Sequence, residues 1–234
     1  MKKVYTRFGI EETYSNGITT TKAYNLKKAE DFYYILVGLD LMDLKCFVND
    51  MEINIKKQKE SLLNKDPHAL QFLLSNDYNH AHRIDVRYPY LLRNSLFISI
   101  YSLLEDALVK LCNFYKQQKS VQTDINYYNG AIIDRAKKFI KDEMDLSIPQ
   151  KQWKQITQYR QIRNSIVHSN GYIFKNDNAS KVISSINVLK DSGIGLKNQS
   201  VIELNKNACL NFIAVVETLL LNICKSLQFL DNMT

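Results

Sequence analysis

Three observations make this an all-α protein by sequence. Only 7 Gly and 3 Pro occur in 234 residues, so little interrupts a helix once it starts. Apolar residues recur at spacings of three and four, the period of one helix face. A composition of 45% apolar and 24% charged residues supplies one full core of a soluble domain and leaves disorder to the ends. The expected architecture is a helical bundle over residues 89–234. It is preceded by an N-terminal extension, 1–88, that carries a long amphipathic helix, and it includes one small β-hairpin.

Before about residue 25 no period is clear; Gly9, Gly17 and the run Thr19, Thr20, Thr21 predict an irregular or short-strand start. From Lys27, the residues Tyr33, Val37, Leu41, Leu44, Val48, Met51 and Ile55 share one face of a long helix ending near Lys65, before Pro67. A short helix, Ala69 to Leu74, and a polar loop, SNDYNHAHRIDVRYP, lead to Pro89. The helix from Tyr90 to about Lys116 is apolar almost all round, as the centre of a bundle requires. Its Ser95, Ser99, Ser102, Asp106, Lys110 and Asn113 form one narrow polar seam suited to a cleft, a partner or water. Ala131 to Met144 reads as a short amphipathic helix. Ser147 and Pro149 predict the start of the next helix, and Gly171 its stop. Two β-branched runs around Gly193 and Gly195, between Ile186 and Leu204, predict the hairpin. Asn205 is expected to cap a last helix reaching about Leu230.

Several functional classes drop out. The start, MKKVYTRFGIEETYS, has two lysines with no apolar block after them, unlike a secretory signal. The most apolar segment, Cys209 to Leu230, is broken by Asn211, Glu217, Asn222 and Lys225, so a buried helix is expected and no membrane partner. Cys46, Cys112, Cys209 and Cys224 follow neither disulfide-scaffold nor zinc spacing, which predicts a reduced, cytoplasmic protein. No phosphate-binding glycine loop, paired-carboxylate signature or G-x-S-x-G is present, and no cofactor is expected. His80 and His82, flanked by Asp77 and Asp85, lack a third ligand at a defined spacing, so no metal is assigned. The net charge of +7 favours polyanionic partners by long-range attraction.

One segment stands apart: RQIRNSIVHSNG, Arg160 to Gly171. At about 100° per residue, Trp153, Ile156, Tyr159, Ile162, Ile166 and Val167 fall on one broad face, with Arg163 projecting from its middle. A buried cation without partners costs several kcal/mol, roughly, so something must meet it. Asn164 and His168, four apart, share a strip at the edge of that face. Two arrangements satisfy the pattern. Arg163 pairs with an internal carboxylate such as Glu105 or Asp106, with His168 favoured at a helix C-terminus by the macrodipole. Alternatively, a second copy of the helix faces the first across a dimer axis, and two arginines with two histidines line one positive cleft.

Such a cleft suits RNA cleavage. RNA carries its own nucleophile, the 2′-hydroxyl, so the reaction asks for a proton acceptor, a proton donor and charge stabilisation at phosphorus. Histidine serves either proton role, and arginine grips phosphate oxygens in a planar fork. Asn164 would orient the imidazole or the phosphate. Among the 14 tyrosines, Tyr127, Tyr128 and Tyr172 are candidates for stacking on bases.

RNSIVH, Arg163 to His168, resembles the R-N-x-x-x-H motif of HEPN domains, the nucleotide-binding helical bundles of higher eukaryotes and prokaryotes. NSLFISIYSLLEDALVKLCNFY, Asn94 to Tyr115, is similar to their central helix, with an aromatic-Ser-x-x-Glu core at Tyr101, Ser102 and Glu105. The resemblance covers about Pro89 to Leu230. It implies an antiparallel HEPN-like bundle that dimerises through the motif helix. It also implies a metal-independent endoribonuclease that leaves a 2′,3′-cyclic phosphate, acts on tRNA or other structured RNA, and works as a toxin or anti-phage effector. Arg163, Asn164 and His168 would be catalytic; Glu105, Asp106 and Arg160 would support them; Lys110 and Tyr172 would bind RNA. An antitoxin or other regulatory protein is an implied partner. The alternative is a catalytically silent module of the same type that binds nucleotide, RNA or a protein. Where the toxin branch has a tyrosine two residues after the histidine, this chain has Asn170, with Tyr172 two residues later.

Overall fold

Runs of apolar residues at spacings of three and four become helices, and the expected all-α class with a small hairpin is what the computed structural model has. It describes residues 2–6, 10–15, 18–23, 29–65, 82–175 and 177–227. In chain order come β1 (Lys2–Thr6), β2 (Ile10–Ser15), β3 (Ile18–Ala23), α1 (Ala29–Tyr33) and α2 (Leu39–Lys65). They are followed by α3 (Tyr88–Lys119), α4 (Ile132–Asp142), α5 (Gln150–Ser169), α6 (Ala179–Val188), β4 (Ile194–Lys197), β5 (Val201–Leu204) and α7 (Ala208–Lys225). The expected helix at Ala69 to Leu74 and the stretch beyond Leu227 lie outside the described residues.

The chain divides into two compact units, each drawing on both sides of residue 88. One comprises Met1–Leu41, Leu103–Trp153 and Val216–Thr234; the other comprises Met42–Ser102 and Lys154–Val215.

In the first unit β1, β2 and β3 form an antiparallel meander with Lys2 opposite Tyr14 and Ser15 opposite Ile18. The short-strand start is therefore a three-stranded sheet. A π-helical turn, Tyr34–Gly38, joins α1 to α2. Gly38 is required there, since a Cβ would come within 2.9 Å of the Tyr33 and Tyr34 rings. Phe32 packs on Phe114 with centroids 4.6 Å apart. In α4 the buried Ile133, Ala136, Phe139 and Ile140 recur at helical spacing, with Ile133, Phe139 and Ile140 each contributing roughly 1.5–3 kcal/mol when fully buried.

The second unit centres on Phe97 of α3, Tyr159 of α5 and Phe212 of α7. Tyr159 and Phe212 stack at 4.1 Å with 16° between planes, and Phe97 lies 4.8 Å from Phe212. Arg93 ties three elements together: its Nε and Nη2 donate to the Glu52 carboxylate of α2 at 2.7 and 2.8 Å, and its Nη1 to the Leu204 carbonyl of β5 at 3.1 Å.

Three local expectations are corrected. The polar loop to Pro89 is helical from His82, because a π-helical turn, Arg83–Arg87, precedes α3 and its wider backbone leads into the proline, which has no N–H to give. Ile186 and Val188 belong to α6 rather than to a strand; their spacing continues the helix, and the hairpin starts only after Gly193, whose φ of 84° turns the chain. In that hairpin Ile194 opposes Leu204, and Asn198 and Gln199, at φ 50° and 54°, make the turn. Asn205 does not cap the last helix directly: its Oδ1 accepts from the Asn207 N–H at 2.8 Å, and α7 opens where the Asn207 carbonyl accepts from Asn211.

By length and composition α7 could cross a membrane, with a mean hydropathy of 1.6, yet half of it is buried inside the protein. Phe212, Ile213, Val216, Leu219 and Leu220 are all core residues. The four cysteines are free thiols.

Candidate functional site

The site grows from how α5 begins and ends. Pro149, with its φ already near helical values, offers its carbonyl to the Trp153 N–H at 3.0 Å and α5 starts at Gln150. The helix stops at Ser169 because Asn170 and Gly171 take left-handed φ of 49° and 75°. The Gly171 N–H then folds back on the Ser165 carbonyl at 3.0 Å, satisfying a helix-end acceptor. A Cβ at Gly171 would stand 3.4 Å from the Tyr90 hydroxyl, so both the backbone and the close approach call for glycine. Tyr90 Oη donates to the Asn170 carbonyl at 2.8 Å. Burial raises its hydroxyl above the ordinary 10.0, which keeps it a donor.

The buried stripe of α5 is not quite the expected one. Trp153, Ile156, Tyr159, Ile162 and Ile166 are buried, but Val167 is 42% exposed and Ser165 and Ser169 take its place in the interior. The buried stripe therefore includes Ser165 and Ser169, and Arg163 is half-buried beside it. The consequence for Arg163 is specific. Its guanidinium carbon sits 5.2 Å from the centroid of the buried Tyr101 ring, and its Nη1 donates to Asn164 Oδ1 at 3.1 Å. Both partners are neutral, so they leave its positive charge uncancelled. Its Nε is buried and donates to nothing among the described residues. Of the two carboxylates named as possible partners, Asp106 pairs with Lys110 at 2.6 Å.

Asn164 is the link outward. It and His168 border a polar cavity of about 360 Å³, together with Gln161, Lys175, Asp177 and Asn178. His168 is exposed on the last turn of α5. The Lys175 ammonium lies 4.9 Å from the Tyr172 ring centroid, so Tyr172 backs the cavity wall. A hydrogen-bonding amide, an imidazole and an ammonium thus converge on one open space, with a cation one hydrogen bond behind the amide.

Of the expected residues, Asn164 and His168 share the cavity, Arg163 reaches it only through Asn164, and Tyr172 flanks it. Arg160 is half-buried on α5. Glu105, Asp106 and Lys110 belong to the other unit, and the Asp106–Lys110 pair is an exposed i,i+4 contact worth about 0.3–0.5 kcal/mol. Lys175, Asp177 and Asn178 escaped the sequence reading; the polar run after the helix-stopping glycine was the available signal. Of the histidine pair, His80 and its neighbour Asp77 lie outside the described residues. Asp85 is ion-paired with Lys59. Among the described residues no three potential ligands gather for a metal. No family model, curated protein or solved structure matches the chain.

Proposed function

We propose that the chain is a metal-independent endoribonuclease of the HEPN type, working as a homodimer. The observation that carries this reading is the hydrogen-bonded pair Arg163–Asn164, which borders, through Asn164, the same open cavity as His168. In the reaction the 2′-oxygen forms a bond to phosphorus, the bond from phosphorus to the 5′-oxygen breaks, and a cyclic phosphate and a 5′-hydroxyl result. One group takes the 2′-proton and another returns a proton to the leaving oxygen. His168 serves as one of these. Asn164 donates its amide N–H to a phosphate oxygen, and its orientation is held by Arg163, whose charge also offsets the charge gathering at phosphorus. Lys175 adds a cation at the cavity wall, a role not foreseen from sequence.

A single cavity brings one imidazole, and the reaction needs two proton-transfer groups. A second copy supplies the second imidazole if two α5 helices face one another. The fit with a cytoplasmic toxin or anti-phage effector follows from the same reading, with RNA as substrate and a neutralising protein as partner.

A second reading has its own observation. Asp177 also borders the cavity, and a carboxylate there lowers the attraction for phosphate, as suits a module that binds a protein partner without cleaving RNA. Incubation with total RNA in excess chelator separates the two. The enzyme yields 2′,3′-cyclic phosphate ends that vanish in His168→Ala and fall sharply in Arg163→Ala. Undiminished cleavage by His168→Ala would refute the catalytic assignment, and binding without any cleavage would support the silent module.

A further inference from the structure

A second cavity, of about 250 Å³, opens beside the segment that follows α5. Three of its lining side chains are basic, His82, Arg87 and Lys197, and none is acidic. The acidic Asp85 and Glu203 line a neighbouring hollow around Arg93, and Asp85 is ion-paired with Lys59. Two aromatic rings, Tyr90 and Tyr172, and two amides, Asn170 and Asn198, complete the polar and flat surfaces of its wall.

The wall is tied together by main chain. Tyr90 holds the Asn170 carbonyl, the Ile173 N–H donates to the Ser200 carbonyl at 2.8 Å, and the Ile202 N–H donates to the Gly171 carbonyl at 2.9 Å. Tyr172 forms a β-bridge to Val201. Three chain segments are thereby locked, so a ligand meets a preformed site and little ordering cost.

The two cavities meet at one pair of residues. Tyr172 lines the second cavity, and its ring carries the Lys175 ammonium that lines the first. Asn170, two residues past His168, lines the second as well. A chain of phosphates leaving the His168 cavity past Lys175 would bring its next unit to Tyr172.

We infer that the second cavity binds the nucleotide adjoining the scissile phosphate in a single-stranded RNA, with Arg87 and Lys197 on the backbone phosphate and Tyr172 and Tyr90 against the base. Phosphate asks for cations, and a base asks for a flat ring and for amides at its edge; one wall supplies all three. The RNA must be single-stranded there because a base in an A-form stack cannot reach a ring at the bottom of a cavity. This assignment of substrate class rests on the ribonuclease reading above.

The test uses the full chain and a labelled short single-stranded oligonucleotide whose 2′-oxygens are methylated, so that it binds and cannot be cleaved. By fluorescence anisotropy, Lys197→Gln should weaken binding several-fold and reduce the slope of log affinity against log salt by about 0.7, one phosphate contact on a single strand. Tyr172→Leu should weaken it by about ten-fold, whereas Tyr172→Phe keeps the stack and the affinity. Lys197 is exposed at the hairpin turn, so its substitution leaves the packing intact, and an unchanged melting temperature verifies that. Wild-type affinity in both Lys197→Gln and Tyr172→Leu, or equal binding of the corresponding duplex, would overturn the inference. Unchanged binding in those variants alongside lost cleavage in His168→Ala removes only the second cavity. Weakened binding in them alongside undiminished cleavage in His168→Ala removes only the catalytic assignment.

Discussion

On its inward face α5 sets Tyr159 flat against Phe212 with centroids 4.1 Å apart, whereas on its outward face Asn164 and His168 border an open polar cavity. The inward face is fixed by volume: a close-packed interior feels the loss of a single methylene. The outward face contributes little to packing, and under the proposed function its exposed imidazole is a proton-transfer group. Arg163 belongs to both, with its guanidinium on the Tyr101 ring and its Nη1 on Asn164. Under the proposed function one helix thus separates a packing face from a chemical one, with a single residue, Arg163, touching both.

Substitutions on each face test that separation. The largest effect is expected from His168→Ala, which should lower cleavage by about 10²–10⁴-fold, as loss of a proton-transfer group does, while leaving the melting temperature where it was. Denaturation followed by circular dichroism alongside the cleavage assay reads both quantities. Tyr159→Ala should do the reverse. Emptying that space costs about 3–5 kcal/mol and lowers the melting temperature by roughly 10 °C, with the molecules that remain folded still competent to cleave. If His168→Ala proved strongly destabilising, the division between the faces would fail.

Smaller effects sharpen the picture. Glu52→Ala strips Arg93 of its bidentate partner in a pair whose side chains are only 20% and 19% exposed, and a loss of about 2 kcal/mol is expected in urea denaturation. Arg163→Lys keeps the charge and loses the planar fork. It should cost about 0.5–1 kcal/mol from the ring contact and also reduce cleavage, the double signature of a residue on both faces. The smallest effect is alkaline. Burial pushes the thiols of Cys112, Cys209 and Cys224 up to about 12, against an ordinary 9.0. The unfolded chain releases those protons at lower pH than the folded one. The stability they contribute is therefore whole below about pH 9 and declines as pH rises towards 12. Cys46 is exposed, and alkylation of the native protein should label it alone among the four.

Much of this was legible in the residues. The limits of α5 follow from Pro149 and Gly171, because a fixed φ starts a helix and a left-handed one ends it. The resemblance marked the aromatic Tyr101, and helical spacing marked Arg163 and Asn164; these three meet in Tyr101–Arg163–Asn164. Other features were not legible, each for a physical reason. Val167 fell on the apolar face by spacing, yet it is exposed while Ser165 is buried, because hydropathy ranks an isolated side chain and close packing selects by fit. The helix before Pro89 was hidden because proline ends an α-helix but tolerates a π-turn ahead of it. The three-stranded start was legible only in part: Gly17 marked a short-strand start, but not the pairing in which Ser15 opposes Ile18.

The all-α class, the hairpin and the residues capable of chemistry are properties of the sequence itself, since helical periodicity and turn preferences act between residues a few positions apart. Which of those residues share a cavity was settled only by tertiary folding. Lys175 comes beside His168, and Lys197 comes beside Arg87 and Tyr172, because a helix end, a hairpin and the start of α3 pack together. No periodicity along a chain encodes contacts between segments a hundred residues apart; only their joint burial creates them.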